Sequence, residues 1–234
     1  MTTLDDSDFE KNVFVNCPFD SKFKALLRPL IFTILYFDFN PRIVSERSDS
    51  AEQRIEKITE FIGASKYSIH DLSRLKSQKK NELARHNMPF ELGLDYGCRK
   101  FGESRFQTKK FLVLETKRYD YSKALSDLAG IDIKTHNDEP EDIIRSVRNW
   151  FVDTVGLGSA KPATAIYFDF TDFMSDFDIE RRAEGFKDKD MFLNADVRIY
   201  RVYSGMVGEE NLTCLLSINF TSKDVANSLH LWAY

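Results

Sequence analysis

Short apolar runs alternate with helix-period segments from Asn12 to Phe151, and this alternation constrains the fold more than any other feature of the chain. Asn12–Asn16 and Lys110–Glu115 have the length and continuous apolarity of strands buried on both faces, and residues 67–70 read the same way. Weaker strands are predicted at 41–45 and 131–134. Between them fall an amphipathic segment at 22–37 and a helix capped by Ser50 that runs to Gly63. The buried stripe of that helix is predicted to be Ile55, Ile58, Phe61 and Ile62. A third helix runs from Pro89 to Phe101-Gly102, and a short one covers 121–128. The last, opened by Pro140, places Ile143, Ile144, Val147, Trp150 and Phe151 at helical spacing. Strands and helices in strict alternation imply a parallel sheet covered on both faces. The expectation is an α/β, flavodoxin-like doubly wound parallel sheet of about five strands with a small C-terminal appendage.

Residues 1–155 are read as the α/β domain, with a loose polar lead-in. Gly156-Leu157-Gly158-Ser159-Ala160-Lys161-Pro162 is a linker by composition. The remainder, 163–234, is expected to be a small helical or mixed appendage. Its stripe Ile166, Phe170, Phe173, Met174 and Phe177 either docks a partner or packs on the chain's own helices, the latter slightly favoured.

With 42% hydrophobic and 30% charged residues, the chain is composed like a soluble globular protein. A net charge of −4 argues against a nucleic-acid scaffold, so no direct nucleic-acid contact is expected. The 20 phenylalanines suit an aromatic-rich core. No apolar run approaches the roughly 20 residues of a membrane helix, and no signal segment is recognisable. Cys17, Cys98 and Cys214 lack paired spacing and read as reduced thiols, which points to the cytoplasm. Cys17 is expected to be a structural thiol. His70 and His86, with Asp71 and Cys17, match no metal-ligand spacing, and His70 should point to the opposite strand face from Asp71. A magnesium nuclease built on Asp71 and Glu91 would lack the Glu-x-Lys strand common in such sites. No metal is expected.

In an open α/β sheet, ligands bind outside the carboxyl ends of the strands. That rule selects Asn16, Pro18, Phe19, Asp20 and Ser21 after the first strand, and Asp71 and Ser73 after the third. It also selects the helix start Asn87-Met88-Pro89-Phe90-Glu91-Leu92-Gly93. There Asn87 is a candidate cap, and Glu91 is read as a first-turn carboxylate kept ionised by the helix dipole. Asp95, one turn later, reads as solvated helix face, and Tyr96 as core.

Pro18-Phe19-Asp20-Ser21, Asp71-Leu72-Ser73 and Asn87-x-x-x-Glu91-Leu92-Gly93, in that order, resemble the nucleoside 2-deoxyribosyltransferase-like family. That family is related in fold to TIR domains, and the wider group includes bacterial N-glycosidase effectors. The resemblance spans roughly residues 12–151. It implies that Glu91 attacks or stabilises the sugar C1′, that Asp71 positions the substrate, and that NAD or a nucleotide is substrate, with no cofactor. It further implies a homo-oligomer and a partner protein in an antiviral defence system; no membrane partner is expected, for want of a long apolar run. The basic insertion 74–85, with five basic residues against one acidic, departs from the pattern. It reads as a surface loop or as a lid whose cations meet phosphates. Arg42 is a further phosphate candidate.

The chemistry suits the residue types. An N-glycosidic bond breaks through an oxocarbenium-like state, which a carboxylate stabilises as nucleophile or as fixed charge. Asn16, Asp20 and Ser21 would form part of the ribose and phosphate cradle, with Pro18, Phe19, Ser73, Asn87 and Met88 as further substrate-binding residues. The alternative from another class is a nucleotide sensor or interaction module that uses the same pocket without cleavage.

Overall fold

Val13, Phe14 and Val15 expose no surface at all, so the strand that carries them must be covered on both faces. The computed structural model describes residues 8–20, 22–44, 52–75, 86–118, 121, 125–128, 130–183 and 185. In it β1 (Asn12–Asn16), β2 (Asn40–Arg42), β3 (Tyr67–Asp71), β4 (Lys110–Glu115) and β5 (Lys134–Thr135) form one five-stranded parallel sheet. The strand order is β2-β1-β3-β4-β5. Helices α1 (Lys24–Tyr36), α2 (Arg54–Gly63), α3 (Asn87–Phe101), α4 (Pro140–Trp150) and α5 (Ala163–Ala183) complete the fold.

Alternation along each strand divides the core. Val13, Val15, Ile69, Leu112 and Leu114 pack with Leu27, Leu30 and Ile34 of α1 and with Ile143 and Val147 of α4. Phe14 points the other way, into Ile58, Phe61 and Ile62 of α2 and Leu94 of α3. Several phenylalanines gather in the first of these layers. The Phe39 and Phe151 rings lie 4.8 Å apart, and Tyr67 meets Trp150 edge-on at 6.0 Å. Such aromatic pairs contribute beyond the area they bury.

A π-helical turn, Phe151–Val155, ends α4 and stops at Gly156, whose φ of 97° suits glycine. The chain then runs irregularly to α5, which lies on the outer side of α1 and α4. Ile166 and Phe170 pack with Ile144, and the Phe170 ring meets Phe32 at 5.4 Å. The apolar stripe of α5 thus packs on the chain's own helices.

Some boundaries differ from the sequence reading. β2 starts at Asn40, and β5 is confined to Lys134–Thr135. α2 begins at Arg54 behind Gln53; Ser50 lies outside the described residues, as do 186–234. Ile55 is exposed, and the buried place beside it goes to Lys57, which pairs with Glu52 at 3.3 Å.

Candidate functional site

The strand order reverses direction between β1 and β3, and in this doubly wound class the crevice at that switch point is where ligands bind. β1 ends there with Asn16 and β3 with His70 and Asp71, both strands parallel and in register with Asn16 opposite His70.

Asn16 is a structural keystone. Its amide nitrogen donates to the Met88 carbonyl at 2.9 Å and lies 3.1 Å from His70 Nδ1. Because the amide donates, Nδ1 accepts, and the His70 proton sits on Nε2, 3.1 Å from Asp95 Oδ2. Asn16 and Met88 therefore tie β1 to the start of α3; both are buried, and they brace the site from behind. His70 does point away from Asp71, toward α3.

Asp71 closes β3 and exposes nothing. Its Oδ1 accepts the Ser73 N–H at 2.9 Å, and its Oδ2 lies 3.0 Å from His136 Nε2. Ser73 Oγ lies 2.9 Å from the same nitrogen. Asp20 holds the turn into α1: its Oδ1 accepts the N–H groups of Lys22 and Phe23 at 3.1 and 2.9 Å. Its Oδ2 accepts Arg74 Nε at 3.3 Å, which links the loops after β1 and β3. Burial works to raise the Asp20 carboxyl, but the Phe23 N–H, Arg74 and the Lys22 N–H outweigh it and hold it below its usual range. Pro18 is buried and Phe19 exposed at the rim; Ser21 and most of the 74–85 insertion lie outside the described residues.

Glu91 differs from its sequence reading. α3 starts at Asn87, with His86 at the cap position, so Asn87 is the exposed first residue of the helix rather than its cap. Glu91 is consequently in the second turn, beyond the strongest reach of the helix dipole. It is nearly fully buried, and burial raises its carboxyl above the ordinary value despite Arg54, whose Nη2 lies 3.7 Å from Oε1. Asp95 is no solvated residue either. It is fully buried between His70 and Lys109, while Tyr96 is 40% exposed. Arg42 stacks on the Phe61 ring at 4.9 Å.

Cys17 reveals how these acids converge. Its thiol is buried and pushed well above its ordinary range, first by burial and then by the charges of Asp71, Glu91 and Asp20. Carboxylates from the end of β3, from α3 and from the loop after β1 are thus all within electrostatic reach of one buried thiol. A shallow groove lined by Pro89, Gly93 and Tyr96 of α3 and by Ser126 and Asp127 runs along a different face of that helix from Glu91. Among the described residues, no group of three or more His, Cys, Asp or Glu could hold a metal ion, and no helix is long and apolar enough to cross a membrane.

Sequence reasoning missed His136 and Arg54. His136 follows the short, weakly patterned β5, and Arg54 opens α2 after the segment that misplaced that helix's start. Neither carried a local signal.

These features define a doubly wound, flavodoxin-like α/β protein with buried carboxylates, Asp71 and Glu91, near its β1–β3 switch point. Comparison of the chain with protein-family models, with curated proteins and with solved structures finds no match.

Proposed function

We propose that this protein cleaves the bond between base and ribose in NAD or another nucleotide, by hydrolysis or transfer, through an oxocarbenium-like state. Glu91 is the nucleophile or the fixed negative charge beneath C1′, and Asp71 orients the sugar. The observation that supports this reading most is Glu91 itself, a carboxylate buried near the start of α3 with the partly exposed Arg54 3.7 Å away, whose charge is felt together with those of Asp71 and Asp20 at Cys17. A carboxylate held in a desolvated place acts on a developing positive charge far more strongly than one in water. Arg54, 56% exposed and beside Glu91, is positioned to turn toward a phosphate and leave Glu91 to the sugar. Ser73 and Phe19 complete the substrate contacts. The reaction belongs to the cytoplasm, in keeping with the unpaired Cys17 and Cys98, and the protein acts as a homo-oligomeric defence effector that a partner activates. Incubation of the purified chain with NAD and a panel of nucleotides, followed by mass spectrometry, should show base release that Glu91→Gln lowers steeply. Equal release by both forms would remove Glu91 from the mechanism.

A second reading, a nucleotide sensor, draws on the bonds that already occupy Asp20 and Asp71, which suit a preformed binding site. Calorimetry separates the two: a sensor binds its nucleotide stoichiometrically and returns it intact.

A further inference from the structure

His136 is fully buried just beyond β5, and each of its ring nitrogens has a polar neighbour within the protein. Nδ1 lies 3.1 Å from the Asp138 backbone N–H, so Nδ1 accepts and the proton is on Nε2. That proton faces Ser73 Oγ at 2.9 Å and Asp71 Oδ2 at 3.0 Å. The hydroxyl is the better aligned of the two, since Asp71 Oδ2 receives no well-directed hydrogen bond. Ser73 Oγ, accepting here, keeps its own proton for another acceptor.

The arrangement is not a nucleophilic triad. In such a triad the acid and the serine hold opposite imidazole nitrogens, so that the base can take the serine proton. Here both sit at Nε2, which already carries a proton.

The backbone is bent to achieve this. Asn137 and Asp138 have φ values of 53° and 61°, two consecutive non-glycine residues in the left-handed region. Asn and Asp are the non-glycine residues that adopt this region most readily, so the pair makes the turn at little cost. The turn is held by Asn137 N–H to the Thr116 carbonyl at 3.0 Å and by Glu139 N–H to the His136 carbonyl at 2.7 Å. Its result is to aim the Asp138 N–H at His136 Nδ1.

We propose that His136 is a positioning residue: the Asn137–Asp138 turn holds it in the Nε2–H form, and that proton fixes the Ser73 hydroxyl, above the buried Asp71, as a hydrogen-bond donor to a substrate oxygen. Its catalytic consequence rests on the nucleotide-cleaving reading above; its tautomer does not.

Two measurements test this on the full chain. Nitrogen-15 NMR of the imidazole should show a bare Nδ1 and a protonated Nε2; a protonated Nδ1 overturns the proposal. In base-release assays, His136→Asn and His136→Gln distinguish the two nitrogens, because the glutamine amide reaches the place of Nε2 and the asparagine amide only that of Nδ1. His136→Asn should lower kcat/KM about 100-fold, the scale of a misplaced substrate, and His136→Gln should recover most of that loss. Equal activity of the two variants, both shown to be folded by thermal melting, overturns the positioning role. If the wild-type chain releases no base from any nucleotide, the glycosidase reading fails and the NMR result alone decides the state of His136.

Discussion

Lys109 Nζ lies 3.2 Å from Asp95 Oδ1, and neither side chain exposes any surface to water. The ammonium also donates to the Ile62 carbonyl at 2.8 Å and to that of Ser65, carbonyls at and just beyond the C-terminal end of α2. Burial works to raise the Asp95 carboxyl, but the bond from His70 and the charge of Lys109 outweigh it and leave it below the usual range. Removing one partner strands the other charge in the core. Asp95→Asn should cost about 3–5 kcal/mol by urea denaturation at neutral pH. Adding Lys109→Met should recover part of that, as a double-mutant cycle would show. A carboxyl with a lowered folded pKa contributes stability above its unfolded pKa and loses it as pH falls through the folded one. Wild type should therefore lose its advantage over Asp95→Asn in acid; an advantage unchanged by pH would contradict the ion pairing.

Glu91 carries the opposite sign. Its carboxyl is raised by burial, so the folded state holds the proton more tightly than the unfolded chain does. Stability should fall as pH rises from the ordinary glutamate value through the folded one, then level off. Glu91→Gln should accordingly be more stable than wild type at neutral pH and lose that gain in acid. The same variant should lower base release by on the order of 10³-fold. A variant both less stable and fully active would refute both parts.

Asn16 should matter for position rather than for contact. Its two interactions anchor β1 to His70 and to the start of α3. Asn16→Ala leaves buried groups unpaired and should cost about 1–3 kcal/mol. Asn16→Asp should cost more, because it turns a carboxylate against the Met88 carbonyl. Thermal melts of the two variants rank them; a more stable aspartate would mean the amide does not bridge these groups.

Phe170 reports whether α5 belongs to the main core. It is 8% exposed and packs against Phe32 of α1. Phe170→Ala should cost about 3–5 kcal/mol and lower the melting temperature of one cooperative transition. If the transition of the α/β core stayed at the wild-type temperature, α5 would be an independent attachment.

The polar residues explain where the sequence misled. The helical period of the segment after Ser50 includes Ile55, yet that residue ends exposed while Lys57 is buried. Asp95 reads as surface because aspartate on a helix usually is, but its partner Lys109 lies just before β4, an interior strand. His136 lies 63 residues from Ser73, and nothing near it in the chain announces a partner.

Strand and helix order, the buried character of β1, β3 and β4, and the placement of Asp71 at the end of β3 were determined by the sequence alone. These depend on apolar periodicity, which is a local property of a dozen residues or so. Tertiary structure alone decided that Asn16 and Met88 would brace the site, that Asp95 would be an internal ion, and that Glu91 would be shielded with Arg54 as its neighbour. It also decided that His136 would lie between Asp71 and Ser73. The reason is physical: a buried polar group is tolerable only with a partner, and the partner is supplied by whichever distant element the fold brings alongside.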